Sequence, residues 1–448
     1  MPSPLMPSVT IAKRLWPAFL AANVICILAF WWEGSQSSLL RDGVGALIAF
    51  GRLAGLFAAF LILLQFYTIG RSPWLERTYG LDTLSRFHHQ TGQWGMLLLL
   101  LHPILIVFGY GAASGTGFAG QFLSLLSQWE VLLAGVALIL FVLVVASSIV
   151  IARRRLTYEL WYGVHLVVYV AIVLAFFHQV QLGGTVTGSD LFYGYWLALY
   201  FFVLFQHLAY RFLRPLVLLH RHAFFISRVA REVQQVVSLY ITGKNMNTFP
   251  IQEGQFMILR FLAKGFRWQA HPFSLSMVPD GRHLRVSIKE LGDFTRKVPT
   301  LEPGTRVLID GPYGVFTADR ASSEKILCIA GGIGITPIRP LLERFVGQGK
   351  DAVLLYGNRT EGDIVFRGEL DALAKDPRCR VVHILSNQPG FAGETGRLDA
   401  ATILRLAPDV RERDVFVCGP IAMLASVRRS LRELGVPSAR VHHERFAL

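Results

Sequence analysis

Six apolar stretches in the first half of the chain, roughly Leu15–Trp32, Val44–Tyr67, Phe87–Tyr110, Val131–Ala152, Leu160–Val180 and Leu191–Tyr210, constrain the fold more than any other feature. Each is long enough as a helix to cross about 30 Å of hydrocarbon. The first is not read as a signal peptide, because it ends in Phe30-Trp31-Trp32 and lacks a small-residue cleavage site. Beyond Pro215 the sequence becomes that of an ordinary globular protein, so the chain divides into a membrane half and a soluble half.

Cations alternate from loop to loop. Lys13 and Arg14, then Arg71, Arg77 and Arg86, then Arg153-Arg154-Arg155, then Arg211 and Arg214 all fall on one side, which predicts a multi-pass protein of the cell (inner) membrane with both termini cytoplasmic. The four cysteines, Cys26, Cys328, Cys379 and Cys418, lie in a membrane segment or on the cytoplasmic side, which argues against structural disulfides. Of the net charge of +14, most belongs to the soluble half, since only 12 of the 44 Lys and Arg residues, and 7 of the 30 Asp and Glu residues, precede Leu216. Next to a bilayer, a basic surface suits an anionic leaflet and phosphorylated cofactors better than nucleic acid, which is not expected as a partner.

Four histidines stand inside two of the apolar segments, His88 and His102 in one and His165 and His178 in the other. On a helix, 14 residues advance about 21 Å and return to within about 40° of the same face; 13 residues advance about 19–20 Å at a less favourable angle that bending must absorb. Imidazole is an axial ligand of haem iron, and a polar ring is costly in hydrocarbon. The spacing therefore predicts two stacked haems, with His88 paired to His165 near the cytoplasmic side and His102 to His178 near the outer side. No C-x-x-C-H run is present, so each would be a non-covalent haem b. His89 and His207 have no counterpart at that spacing and read as structural. Arg52, the sole charge in the second segment, lies about 12 Å deep, close to the level of His102. A haem propionate is the expected anionic partner, with Glu130 or a carbonyl as the structural alternative.

In the soluble half, short runs from Gln234–Ile241 to Arg306–Ile309, separated by turn signals, predict a small antiparallel barrel. From Lys325 onward strand-like runs (Ile326–Ala330, Ala352–Tyr356, Arg380–Leu385, Asp414–Cys418) alternate with helix-like ones, which predicts an α/β doubly wound parallel sheet. The fold class is thus a multi-domain membrane protein, with a six-helix domain over 1–217, a barrel over 218–320 and an α/β domain over 321–448.

Motifs sit at the junctions. Gly331, Gly332, Gly334, Thr336 and Pro337, in Gly-Gly-Ile-Gly-Ile-Thr-Pro, follow a strand and open a helix, where bare backbone N–H groups receive a pyrophosphate. His271, Pro272, Phe273, Ser274 and Ser276 place an aromatic ring and hydroxyls where a flavin and its ribityl chain could rest; alone they could equally be an edge strand beginning with Pro. Lys289, Gly292 and Thr295, and the turn containing Gly311 and Gly314, add a cation and phosphate-friendly backbone. Cys418, Gly419 and Pro420 end the last clear strand at the carboxyl edge of the sheet.

In this order the motifs resemble the NADPH oxidase and ferric reductase superfamily, a six-helix ferric-reductase-like domain fused to a ferredoxin-reductase-like FAD and NAD(P)H module, over nearly the whole chain from about Val44 to Leu448. The resemblance implies flavin contacts at His271, Phe273 and Ser274, the FAD pyrophosphate beside Lys289, Gly292 and Thr295, the dinucleotide pyrophosphate at Gly331–Pro337, a nicotinamide-side turn at Cys418–Pro420, and a flavin-shielding aromatic at Phe446. Among the membrane histidines it favours His88, with Gly92 and His102-Pro103, over His89. The chain lacks the calcium-binding loop and regulatory insertion of eukaryotic members, so control by calcium or cytosolic activators is not expected.

The expected activity is transmembrane electron transfer from NADPH through FAD and two haems to an outer acceptor. Bis-histidine ligation leaves both dioxygen and ferric chelates open, and a periplasmic or extracellular protein acceptor is a further possibility. A cation at Arg52 would stabilise nascent superoxide and favours dioxygen. A haem-free anchor carrying a flavin reductase for a protein partner is the alternative from another class. Arg359, one βα unit beyond the glycine loop, is expected to pair with a 2′-phosphate and so to select NADPH.

Overall fold

The computed structural model describes residues 9–149, 153, 155–156, 158–388 and 390–445. Six helices are long and apolar enough to cross a membrane: Lys13–Leu39, Gly43–Ile69, Leu81–Ser114, Trp129–Ser148, Leu160–Gln181 and Asp190–His222. They match the six segments read from the sequence, and exposed Leu, Ile, Phe and Val side chains on them are what a lipid solvent requires. Caps define two of their starts. Asp42 accepts from the Gly45 amide at 2.7 Å ahead of the second span, and Ser189 accepts from the Phe192 amide ahead of the sixth.

The spans are not uniform rods. The third is an unbroken helix of 34 residues with Pro103 inside it, directly after His102. The fifth is broken at Val167, with helix over Tyr158–Leu166 and again over Val168–Gln181. The sixth loosens into a π-helical stretch, Leu208–Leu213, before a final helix, Arg214–His222, that has Pro215 in its first turn. Between the third and fourth spans lies a short apolar helix, Gly117–Leu126, not expected from the sequence.

The chain forms two compact units, Met1–Thr78 with Thr83–Arg211, and Tyr79–Asp82 with Phe212–Leu448. In the second, two three-stranded antiparallel sheets are ordered β1-β2-β5 and β4-β3-β6. The strands are β1 (Phe225–Val233), β2 (Val236–Thr242), β3 (Phe256–Phe261), β4 (His271–Ser274), β5 (Leu284–Lys289) and β6 (Val307–Tyr313). Single bridges, Phe225 to Arg306 and Leu275 to Val286, join the two sheets at both margins and close the barrel around Leu239, Leu259, Phe261, Val286 and Ile309. The strand β1 was not anticipated, because its alternation is masked by Arg228, Arg231 and Glu232. Pro272 sits in β4 at a sheet margin, where its missing N–H removes no ladder bond.

The remaining strands are β7 (Lys325–Gly331), β8 (Asp351–Asn358), β9 (Cys379–Leu385), β10 (Glu394–Thr395), β11 (Asp414–Gly419) and β12 (Val441–Arg445). They form one parallel sheet in the order β10-β9-β8-β7-β11-β12. Separate apolar cores cover its two faces, one around Leu341, Phe345 and Phe416 and the other around Ile403, Val427 and Leu431. The strand order reverses between β7 and β11, and the crevice at such a switch point is where doubly wound sheets receive ligands.

Candidate functional site

In the membrane unit the four histidines face one another in the predicted pairs. The rings of His88 and His165 have centroids 6.3 Å apart, and those of His102 and His178 are also 6.3 Å apart. Two imidazoles bound to opposite sides of one iron require about 6 Å, from a metal–nitrogen bond of about 2 Å and about 1 Å more to each ring centre. The donor chemistry is consistent. His102 Nδ1 lies 2.8 Å from the Gly51 carbonyl, which can only accept, so the proton sits on Nδ1 and Nε2 keeps its lone pair. Ser148 gives its hydroxyl proton to the Val144 carbonyl and receives the Trp161 indole N–H at 3.1 Å; towards His165 Nδ1, 3.4 Å away, it too can only accept. His88 Nδ1 and His178 Nδ1 are buried without a hydrogen bond of good geometry. Among the described residues no group of three or more His, Cys, Asp or Glu side chains could hold a metal ion. Two nitrogens per site suit a haem, which brings four ligands of its own, rather than a zinc or calcium site.

A regular helix would turn His178 about 140° away from the face of His165 over 13 residues. Around Val167, two residues after His165, the ladder tightens to three-residue bonds, from the Val167 amide to the Val164 carbonyl and from the Val170 amide to the Val167 carbonyl, which takes up part of that mismatch. By contrast, His207 has both nitrogens engaged, Nδ1 with the Phe66 carbonyl at 2.9 Å and Nε2 with the Tyr169 hydroxyl at 2.8 Å. His89 is exposed and lies 3.4 Å from Gln93.

Arg52 donates from Nη2 to the Tyr110 hydroxyl at 3.0 Å. The loop after the fifth span closes over it, and a Cβ on Gly184 would stand 3.2 Å from the guanidinium carbon. Among the described residues Arg52 forms no ion pair, with Glu130 or any other carboxylate, so its second amino group and Nε remain available to an anion.

In the barrel, the His271 ring packs 4.0 Å from Phe294, and Phe273 lies nearly parallel to the same ring at 6.5 Å. Pro272 is exposed and Ser274 buried. Ser276 is turned into the barrel, bonding the Arg285 carbonyl and the Ser287 hydroxyl at 3.0 and 2.8 Å. Thr295 Oγ1 accepts from the amides of Leu291 and Gly292, both at 2.9 Å, and so shapes the turn after Lys289. Gly311 and Gly314 have φ of +146° and +100°, which side chains rarely adopt. The Gly311 carbonyl accepts from Arg214 at 2.9 Å.

At the switch point, the register places Gly331 beside Gly357 and Ala330 beside Cys418. The two turns touch through backbone: a Cβ on Gly334 would meet the Cys418 carbonyl oxygen at 2.3 Å, and one on Gly331 would meet Met423 Sδ at 2.2 Å. Gly332 faces open space at φ +52°, while Gly419 and Pro420 line the opposite turn. Thr336 donates to the Ile333 carbonyl at 2.9 Å, and Pro337 lies in the first turn of the helix Ile335–Gly347. Cys418 is fully buried; burial, reinforced by the Glu444 charge, pushes its thiol well up, so it stays protonated and inert as a nucleophile. Arg359 is exposed just past β8, its side chain unpaired among the described residues. β12 brings the chain alongside Gly419 at Arg445, and Phe446 lies outside the described residues.

Several residues beside these sites were not singled out from the sequence. Gly51 and Gly55 both touch the His102 ring, a contact that the small-x-x-x-small spacing in an apolar segment signals. Ser148, Trp161 and Tyr110 carry no local signal, because their partners come from other helices. Arg285, Arg339 and Glu369 join the barrel to the parallel-sheet domain.

Three family descriptions match the chain in sequence order: ferric reductase like transmembrane component over residues 54–176, FAD-binding domain over 222–317, and oxidoreductase NAD-binding domain over 328–429. An NADPH oxidoreductase of Mycobacterium tuberculosis is 32% identical over 235 residues, covering 49% of this chain and 58% of that protein. Ferredoxin--NADP reductase B of Sorangium cellulosum is 37% identical over 187 residues, 39% of this chain and 77% of the relative. The FAD/NAD-binding domain of a Vibrio cholerae nitric oxide dioxygenase is 22% identical, covering 50% of this chain and 98% of its own, with a TM-score of 0.46. The chain thus spans less than two thirds of the mycobacterial relative. Fold and matches together define an oxidoreductase with FAD- and NAD(P)H-binding domains and a ferric-reductase-like membrane component. By that architecture the chain belongs to the NADPH oxidase and ferric reductase family.

Proposed function

We propose that this protein carries electrons from cytosolic NADPH across the cell membrane to dioxygen on the outer face, giving superoxide. The observation that carries the reading is the pair of facing histidine couples, each 6.3 Å between ring centres, on two spans. NADPH, FAD and two b-type haems, when bound, supply hydride transfer followed by single-electron relay. One NADPH accounts for two electrons and one released proton, hence two superoxide ions from two dioxygen molecules.

The chain's residues bind and orient these groups. Gly331, Gly332 and Gly334 leave the opening of the helix Ile335–Gly347 bare for a pyrophosphate. Arg359 offers an unpaired guanidinium to a 2′-phosphate. His271, Phe273 and Ser274 on β4, with Lys289, Gly292 and Thr295, provide an aromatic wall and a cationic turn for FAD, and Gly311 and Gly314 carry the neighbouring backbone through conformations that side chains rarely adopt. His88 with His165, and His102 with His178, would hold the inner and outer haems. Arg52, anchored by Tyr110, presents positive charge beside the outer pair, towards a propionate or a nascent anion. The alternation of loop cations supports an orientation with both termini, and the NADPH end, in the cytoplasm.

Purified protein in detergent should show a b-type spectrum with about two haems per chain. With NADPH and FAD it should reduce cytochrome c in a manner abolished by superoxide dismutase, faster than it reduces ferric chelates. Preferred reduction of the chelate would make it a ferric reductase. Absence of haem after growth with adequate haem supply would overturn the transmembrane reading and leave a membrane-anchored flavin reductase serving a protein partner.

A further inference from the structure

The second span, though it contributes no histidine, is built around the His102 ring. The Gly51 carbonyl receives Nδ1 at 2.8 Å, although main-chain carbonyls inside a helix ordinarily serve their own helix alone. One turn further on, the ring lies on the bare backbone of Gly55: a Cβ there would come within 2.7 Å of Nδ1, 2.9 Å of Cε1 and 3.1 Å of Cγ. Three atoms of a rigid ring are involved, and these are not the free end of a flexible chain. Gly109, on the same third span, likewise allows the approach, since a Cβ on it would meet Ile48 Cγ1 at 2.6 Å.

We infer that Gly51 and Gly55 are positioning residues for the outer haem: the Gly51 carbonyl sets the tautomer of His102, and Gly55 supplies the space in which its ring turns Nε2 towards His178. This rests on the haem reading above. At the inner pair His165 lies 3.4 Å from the Ser148 hydroxyl and 5.3 Å from the Trp161 ring, and among the described residues neither inner ring makes a hydrogen bond of good geometry to a main-chain carbonyl. A carbonyl on the far nitrogen makes an imidazole a stronger donor and fixes its rotation, so the two sites differ in kind.

The test uses the full-length protein in detergent and reads haem content and low-temperature electron paramagnetic resonance rather than turnover. In Gly55→Ala the added methyl group displaces the His102 ring. The haem-to-protein ratio should fall from about two towards one, or one of two low-spin signals should move, with FAD content unchanged. Gly194→Ala, at a membrane glycine with open space around its Cβ position, is the control and should retain both wild-type signals. Two unaltered signals in Gly55→Ala overturn the inference while leaving the haem reading intact; a wild type without haem removes that reading instead. Should Gly55→Ala fail to accumulate, His102→Gly decides. Added imidazole, which can donate to the Gly51 carbonyl, should restore the lost signal at least tenfold more effectively than 1-methylimidazole, which cannot. Equal recovery, or none with either, overturns the inference.

Discussion

The Arg285 guanidinium and the Glu369 carboxylate meet in a two-pronged ion pair, 2.5 and 2.9 Å, with the arginine side chain only 6% exposed. Arg285 belongs to the flavin barrel and Glu369 to the nucleotide domain, and Arg339, from the helix after the glycine loop, binds the same carboxylate at 2.7 Å. Arg285 also covers the Phe366 ring at 4.4 Å and donates to the Ser276 carbonyl. Removing one partner strands a buried guanidinium. Glu369→Ala should therefore cost about 2–3 kcal/mol, less than a fully buried pair because the carboxylate is one-third exposed. Chemical denaturation followed by flavin fluorescence checks this, and a change under 0.5 kcal/mol would refute it.

The same pair sets a pH dependence. Burial alone would raise the Glu369 carboxyl, but the Arg285 hydrogen bond and the charges of Arg339 and Arg285 outweigh it and hold it below its ordinary value. A depressed folded value means stability that is fully present above the unfolded value, about 4.3, and lost as pH falls through the folded one. Wild-type stability should drop below about pH 4 by more than that of Glu369→Gln, measured as midpoints of denaturation across pH 3–7.

Replacing His102 or His178 by Ala should abolish reduction of acceptors outside the membrane yet preserve NADPH oxidation by ferricyanide added on the flavin side. Inside-out and right-side-out vesicles separate the two activities. Equal loss of both would assign these rings a folding role.

Arg359→Ala should raise the KM for NADPH roughly 10- to 150-fold, corresponding to a charge-assisted contact of about 1.5–3 kcal/mol, and leave the KM for NADH nearly unchanged. Parallel losses for both nucleotides would show that Arg359 does not read the 2′-phosphate.

Gly334→Ala would drive a methyl group to 2.3 Å from the Cys418 carbonyl, a main-chain atom that cannot swing aside. NADP⁺ affinity should fall by roughly tenfold or more by calorimetry. The haem spectrum of the membrane unit should not change; if affinity is unaltered, the close approach of the two turns does not shape the nucleotide site.

Much of this was legible in the sequence because membrane spans and βα alternation are local patterns. Apolar length gives the six spans, and Ile326–Ala330 followed by bare glycines gives a strand, a turn and a helix. What could not be read depends on partners distant in the chain. Tyr110 meets Arg52 across 58 residues, and Glu369 meets Arg285 across 84. β1 is hidden in the sequence because Arg228, Arg231 and Glu232, with two irregularities in its register, interrupt the alternation, and its pairing with β2 declares it. The depth of Arg52 follows from counting residues, whereas its tyrosine partner depends on how helices pack.

The break at Val167 bears on how such proteins diversify. Because an irregular turn can take up or release angular offset within the helix, the number of residues between two ligands is not rigidly tied to the geometry they must reach. A deletion or insertion between His165 and His178 can be absorbed by gaining or losing that turn. A chain that spaced this pair by 14 residues could therefore present the same site, so the site is defined by where two rings meet and not by how many residues separate them.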